Sequence, residues 1–141
     1  FELDSNRRGN HYDAFTEIDF SQYDDREGMK LVRPIAKRPM QFISGIRDGN
    51  WLVFNNMCFK QNPQKVTIEL QAETPGTVIE IREGSIDGKL IATCPINQSQ
   101  TPGEWEKQTF EVSEAVKDKS KIYFLFRGQS QGLAIKNFIF Y

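Results

Sequence analysis

Glu17 and Asp19 stand two positions apart in "TEIDF" (Thr16 to Phe20) and are the first residues whose types and spacing invite chemistry. If the stretch is extended, both carboxylates leave one face of a strand, roughly 6.6–7 Å apart at the backbone. Hard cations such as calcium gather about six to eight oxygens from carboxylates and carbonyls, so the pair is a start toward a calcium site. Glycosidases also use two carboxylates, about 5–5.5 Å apart for retention or about 6.5–9.5 Å for inversion. Their acid and base, however, face each other across a cleft, whereas Glu17 and Asp19 project in parallel. The remaining reading is a solvated acidic edge.

Aromatic rings offer a second chemistry. A sugar ring has one face of C–H groups, and an indole plane covers such a face while the hydroxyls reach polar neighbours. Trp105 lies in "QSQTPGEWEKQ", a polar loop with Glu104, Glu106 and Lys107 beside it. A large ring there is either the edge of a core or an exposed platform. Trp51 differs. It opens an apolar run directly after the turn Asp48-Gly49-Asn50, and both faces of that run are largely apolar, which predicts a core residue on a central strand.

Other chemistries lack their parts. His11, the single histidine, has no nucleophile partner in a recognisable motif, and neither a Gly-rich phosphate loop nor a Ser nucleophile elbow occurs. One His and two separated cysteines, Cys58 and Cys94, make a zinc site unsupported, and a bridge between the two thiols stays open. Eighteen basic residues against nineteen acidic ones leave a net charge of -1. No basic run supplies the counterion release that drives nucleic-acid binding, so no nucleic acid is expected. The apolar runs are too short for a membrane span.

The elements that must position these residues alternate with period two. "KVTIELQAE" sends Val66, Ile68, Leu70 and Ala72 to one face and Thr67, Glu69, Gln71 and Glu73 to the other. "TVIEIREG" and "KLIATCPI" are two strands of a hairpin whose turn signal is Asp87-Gly88. "YDAFTEIDF", "GMKLV", "WLVFNNMCF", "QTFEVS", "KIYFLFRG" and "LAIKNFIFY" read as further strands, and "SEAVKDKS" as one helical turn at most. Nine or ten short strands with turn signals about every ten residues predict an all-β, single-domain antiparallel β-sandwich or jelly roll. Residues 1–11 read as a linker or leading arm from an upstream domain, and 12–141 as the module. A chain that starts with Phe1 and shows no signal peptide reads as a mature or excised fragment.

Five segments in order then resemble carbohydrate-binding module family 6, the jelly-roll accessory modules of secreted polysaccharide-degrading enzymes. They are "TEIDF", "IRDGNWLVF" (Ile46 to Phe54), "IEIREGSIDGKLIATCPI" (Ile79 to Ile96), "PGEWEKQTFEV" (Pro102 to Val112) and "LAIKNFIF" (Leu133 to Phe140). The third is similar to modules that follow family 43-type catalytic domains. The resemblance implies that Trp51 is structural and that Trp105 forms one wall of a cleft between rim loops. It also marks departures: Gly45 stands where a second aromatic is usual, and Ala134 where an asparagine is usual, with Gln129 and Gln131 close by. Phe42 supplies the missing wall if the loop Pro39 to Ser44 folds over. Glu27, Arg33 and Arg47 lie near the same loops, and the arginines would favour an anionic or sulfated glycan.

By the same resemblance Glu17 and Asp19 hold a structural Ca2+ with a residue of the closing strand. That place holds Lys136, with Asn137 beside it. A lysine is no calcium ligand, so either Asn137 or a backbone carbonyl substitutes, or the ammonium replaces the ion. The function expected is non-catalytic binding of a plant or algal cell-wall polysaccharide of xylan, arabinan or galactan type. The partner would be a catalytic glycoside hydrolase domain in the same polypeptide, and the setting secreted, periplasmic or bacterial cell-surface. The alternative is a structural accessory domain packed on a hydrolase, with a degenerate sugar site.

Overall fold

A computed structural model describes residues 11–35, 40–101 and 103–141. Residues 1–10 of the expected leading arm, 36–39 of the loop before Phe42, and Pro102 therefore lie outside the described residues. The described chain forms twelve strands. In order they are β1 (Tyr12–Asp13), β2 (Ile18–Asp19), β3 (Asp25–Glu27), β4 (Lys30–Val32), β5 (Phe42–Ser44), β6 (Trp51–Cys58), β7 (Lys65–Gln71), β8 (Val78–Glu83), β9 (Lys89–Pro95), β10 (Glu106–Glu111), β11 (Ser120–Arg127) and β12 (Ala134–Phe140).

They build two sheets packed face to face, the expected β-sandwich. One runs β9-β8-β11-β6-β1 with β3 also on β6, and the other β10-β7-β12-β5-β4 with β2 also on β12. All pairings are antiparallel except β1 on β6. Period-two alternation decides which residues face the interior: on β7, Val66, Ile68 and Leu70 are fully buried while Glu69 and Gln71 look outward. Four phenylalanines meet between the sheets. Phe20, Phe54, Phe124 and Phe138 are sealed from solvent, and all six of their centroid distances fall between 4.7 and 6.3 Å. Tilted and edge-on contacts of this kind add to the stability that burial alone provides.

Three local expectations are corrected. "YDAFTEIDF" is not one strand. The Asp13 side chain accepts the Phe15 amide at 3.0 Å and its carbonyl accepts the Thr16 amide at 3.0 Å, an Asx turn that breaks the segment into β1 and β2. Glu17 thus sits ahead of β2 instead of two places along a continuous strand. "SEAVKDKS" forms no helical turn, because the Asp118 side chain caps the Phe59 amide and Lys119 adopts a φ of 59°. The one helical piece among the described residues is the 3-10 turn Phe20–Gln22. Finally, Trp51 is half-buried on the outer face of its sheet, 5.6 Å from the Tyr123 ring, because Leu52 and Phe54 take the inward positions.

The two cysteines are free, with Cys94 buried and its thiol pushed up to about 12 by that burial.

Candidate functional site

Trp105 lies between the loop that follows β9 and the start of β10, and that loop is braced from both sides. The Glu106 carboxylate accepts the amides of Gln100 and Thr101. Gln108 clasps Asn97 twice, taking its amide at 3.0 Å and donating to its carbonyl at 2.9 Å. Gln71 on β7 donates to the Gly103 carbonyl at 3.2 Å. So held, the indole is half-buried, neither core nor fully exposed.

Phe42 does come to Trp105, as the missing-wall expectation required. The two centroids are 5.2 Å apart with the planes at 63°. A sugar ring between two parallel walls needs two van der Waals gaps of about 3.5–4.0 Å each, so about 7–8 Å in all. Phe42 and Trp105 therefore form one apolar corner instead of two walls of a slot. Lys136 completes it: its ammonium lies 5.7 Å from the indole centroid and 3.7 Å from the Glu69 carboxylate. A register shift in β12 between Ile135 and Asn137 sets Lys136 out of the ladder, so Lys136 and Asn137 both reach Glu69, the latter donating at 3.0 Å. Glu69 and Lys136 were thus missed as neighbours of the ring. Alternation predicted the outward direction of Glu69, but nothing in sequence spacing signals a bulge on a strand paired with it.

Two cavities open at the same rim. The larger, about 390 Å³, lies between segments 44–47 and 129–134. Its floor is the buried Ile46, Leu133 and Ala134. Arg47 and Gln131 line it, as do Gly45 and Ala134, the two departures. The smaller, about 180 Å³, is lined by Gln71, Glu73, Gln98, Ser99 and Gly103 among others, and shares Gly132 with the first. Glycine suits that place: its φ is +63°, and an added Cβ would come within 2.6 Å of the Glu73 side chain as it stands. Arg47 and Gln131 are thereby brought together, while Trp105 and Phe42 are paired with each other. Glu27 joins neither group; it is exposed on β3 opposite Trp51.

At the acidic pair, burial raises the Asp19 carboxyl above the usual carboxylate range, the Glu17 charge adds to this, and the Lys136 charge pulls against it. Asp19 faces Asn137 across the β2–β12 ladder. For calcium these residues offer two carboxylates and the amide oxygen of Asn137, whose nitrogen donates to Glu69, with the Lys136 ammonium in Coulomb range of Asp19. Among the described residues no three His, Cys, Asp or Glu side chains are grouped to hold a metal. These side chains alone supply fewer oxygens than calcium takes, about six to eight, and a cation stands beside them.

A family model described as "Carbohydrate binding module (family 6)" matches residues 21–141. Among curated proteins, the chain is similar to an arabinoxylan arabinofuranohydrolase of Bacillus subtilis (strain 168), 29% identical over 92 residues. That match spans 65% of this chain and only 18% of the enzyme. Among solved structures, a family 6 carbohydrate-binding module from Clostridium cellulolyticum in complex with xylose superimposes with a TM-score of 0.81 at 25% identity, covering 92% of this chain and 98% of that one. A glycoside hydrolase family 43 arabinoxylan arabinofuranohydrolase from Bacillus subtilis, in complex with cellotetraose, gives 0.81 at 19% identity, covering 93% of this chain and 28% of that one. A module of family 36 in complex with calcium and xylotriose shares the fold more distantly, with a TM-score of 0.60 at 11% identity, covering 89% of this chain and 99% of that one. With the sandwich, the rim cavities and a match over most of its length, the chain belongs to carbohydrate-binding module family 6.

Proposed function

We propose that this chain binds a cell-wall polysaccharide of xylan, arabinan or galactan type and holds an attached glycoside hydrolase at its substrate. The family is one of binding modules, and the module itself is non-catalytic. Tethering acts through effective concentration, so even a weak module raises the encounter rate of a linked catalytic site. The observation that carries the reading is the half-exposed indole of Trp105 on a braced loop whose Gly103 lines the smaller of the two rim cavities. The xylose in a similar family 6 module supports a xylan-type pyranose among these ligands. A secreted, periplasmic or cell-surface setting accords with such a substrate. The accessory-domain alternative is not carried forward, since the similar modules bind sugar in their own right.

The test is titration of intrinsic tryptophan fluorescence with xylan, arabinan and galactan oligosaccharides. Trp105→Ala is expected to weaken the best ligand by about 10-fold or more, the loss of one stacking ring worth roughly 1–3 kcal/mol. Silence of the native chain across the panel overturns the reading.

For the cation we propose that the Lys136 ammonium does the neutralising that calcium would otherwise do beside Asp19 and Glu17. Calcium chloride or a chelator is then expected to leave the melting temperature unchanged. A rise with calcium that Asp19→Asn abolishes would restore Glu17, Asp19 and Asn137 as metal ligands.

A further inference from the structure

The larger rim cavity has one charged side chain in its lining, and that is Arg47. Among the described residues its guanidinium meets no carboxylate at ion-pair distance, although the chain as a whole carries a net charge of -1. The backbone that carries it is nonetheless held. The Asn50 side chain accepts the Arg47 amide at 2.8 Å, and neighbouring Asp48 is engaged by the Gly128 amide at 2.8 Å. The Gln129 amide is tied to the Ile46 carbonyl at 3.2 Å, which holds the opposite lip. Gly45 and Ala134 place almost no side chain in the space between, and this leaves room for a substituent beyond a plain sugar ring.

An arginine with no carboxylate partner among the described residues, at the edge of an apolar floor with amide side chains at the lip, suits one kind of sugar. The buried Ile46, Leu133 and Ala134 accept a C–H face, Gln131 reaches hydroxyls, and the planar fork of Arg47 matches a carboxylate through two parallel hydrogen bonds. We propose that the cavity between segments 44–47 and 129–134 selects an acidic sugar, a uronic acid carried on the polysaccharide, with Arg47 as the residue that determines the preference. This rests on the polysaccharide-binding reading above and specifies its ligand.

Calorimetric titration of the chain with three probes tests it: neutral xylotetraose, xylotetraose bearing one glucuronic acid branch, and a sulfated xylo-oligosaccharide. The glucuronate probe is expected to bind about 10-fold more tightly than the neutral one, the size of a charge-assisted hydrogen-bonded pair. That advantage should shrink as salt shortens the screening length from about 10 Å at 0.1 M to about 3 Å at 1 M. Arg47→Gln should remove it, and Arg47→Lys should retain only part, since an ammonium keeps the charge and loses the fork. An unchanged melting temperature shows that each variant is folded. Equal affinity for neutral and acidic probes, or a preference that survives Arg47→Gln, overturns the inference and leaves polysaccharide binding standing. Preference for the sulfated probe overturns the carboxylate as the class. No binding to any of the three overturns this inference; the underlying reading falls only if the arabinan and galactan oligosaccharides are silent as well.

Discussion

Glu83 accepts the Lys117 amide at 2.7 Å and the Ser120 hydroxyl at 2.8 Å, while Lys89 stands 3.5 Å away. Burial alone would raise its carboxyl, but these donors and the Lys89 charge outweigh it and hold the group below the usual glutamate range. A carboxylate lowered on folding contributes stability above its unfolded pKa and loses it as pH falls through the folded value. Glu83→Gln is therefore expected to cost about 1–2 kcal/mol at neutral pH. The deficit should narrow on acidification below the glutamate range, as read from urea midpoints across pH. Asp19 has the opposite sign. Its carboxyl is raised by burial and by Glu17, so its charged form works against folding above the folded pKa, and that penalty is relieved as pH falls. Asp19→Asn keeps a side chain able to cap the Phe20–Gln22 turn. It should raise the melting temperature at neutral pH, with the gain fading in acid.

At the scale of elements, β12 does most to join the parts. It pairs with β7, β5 and β2, supplies Phe138 to the ring cluster, and sets Lys136 out toward Trp105 through its bulge. Truncating Phe138 to Ala should cost about 3–5 kcal/mol, since a fully buried ring leaves a void that its neighbours only partly fill. Thermal melting checks this. The strands with clean alternation were legible in the sequence because burial of one face dictates it: Val66 to Leu70 alternates as read. So was the hairpin turn at Asp87-Gly88, where the Gly88 amide closes on Ser85 at 2.9 Å. The place of Trp51 is not legible, because the apolar outer face of β6 looks the same in sequence as an inner one. The Phe42–Trp105 corner is legible only as a condition, since ring separation depends on how two segments far apart in the chain are set. The cavity walls and the bulge at Lys136 depend on register between distant strands, which no local pattern encodes. Arg47 and Gln131 were picked out by their loops, and the structure supplies the reason that they act on one space.

At the scale of the whole molecule, each sheet mixes early and late segments: β6 lies between β1 and β11, and β2 and β5 lie against β12. The four sealed rings are likewise drawn from Phe20, Phe54, Phe124 and Phe138, so the interior cannot consolidate until distant parts of the chain have met. Few favourable encounters are available along the way, because the entropy of closing those long loops is spent before the rings make contact. Such topologies acquire their native form slowly, on the order of milliseconds to seconds, where bundles of helices need only microseconds to milliseconds. Stopped-flow dilution from urea, watched through Trp51 and Trp105, should show that timescale. A microsecond phase accounting for the entire amplitude would contradict it.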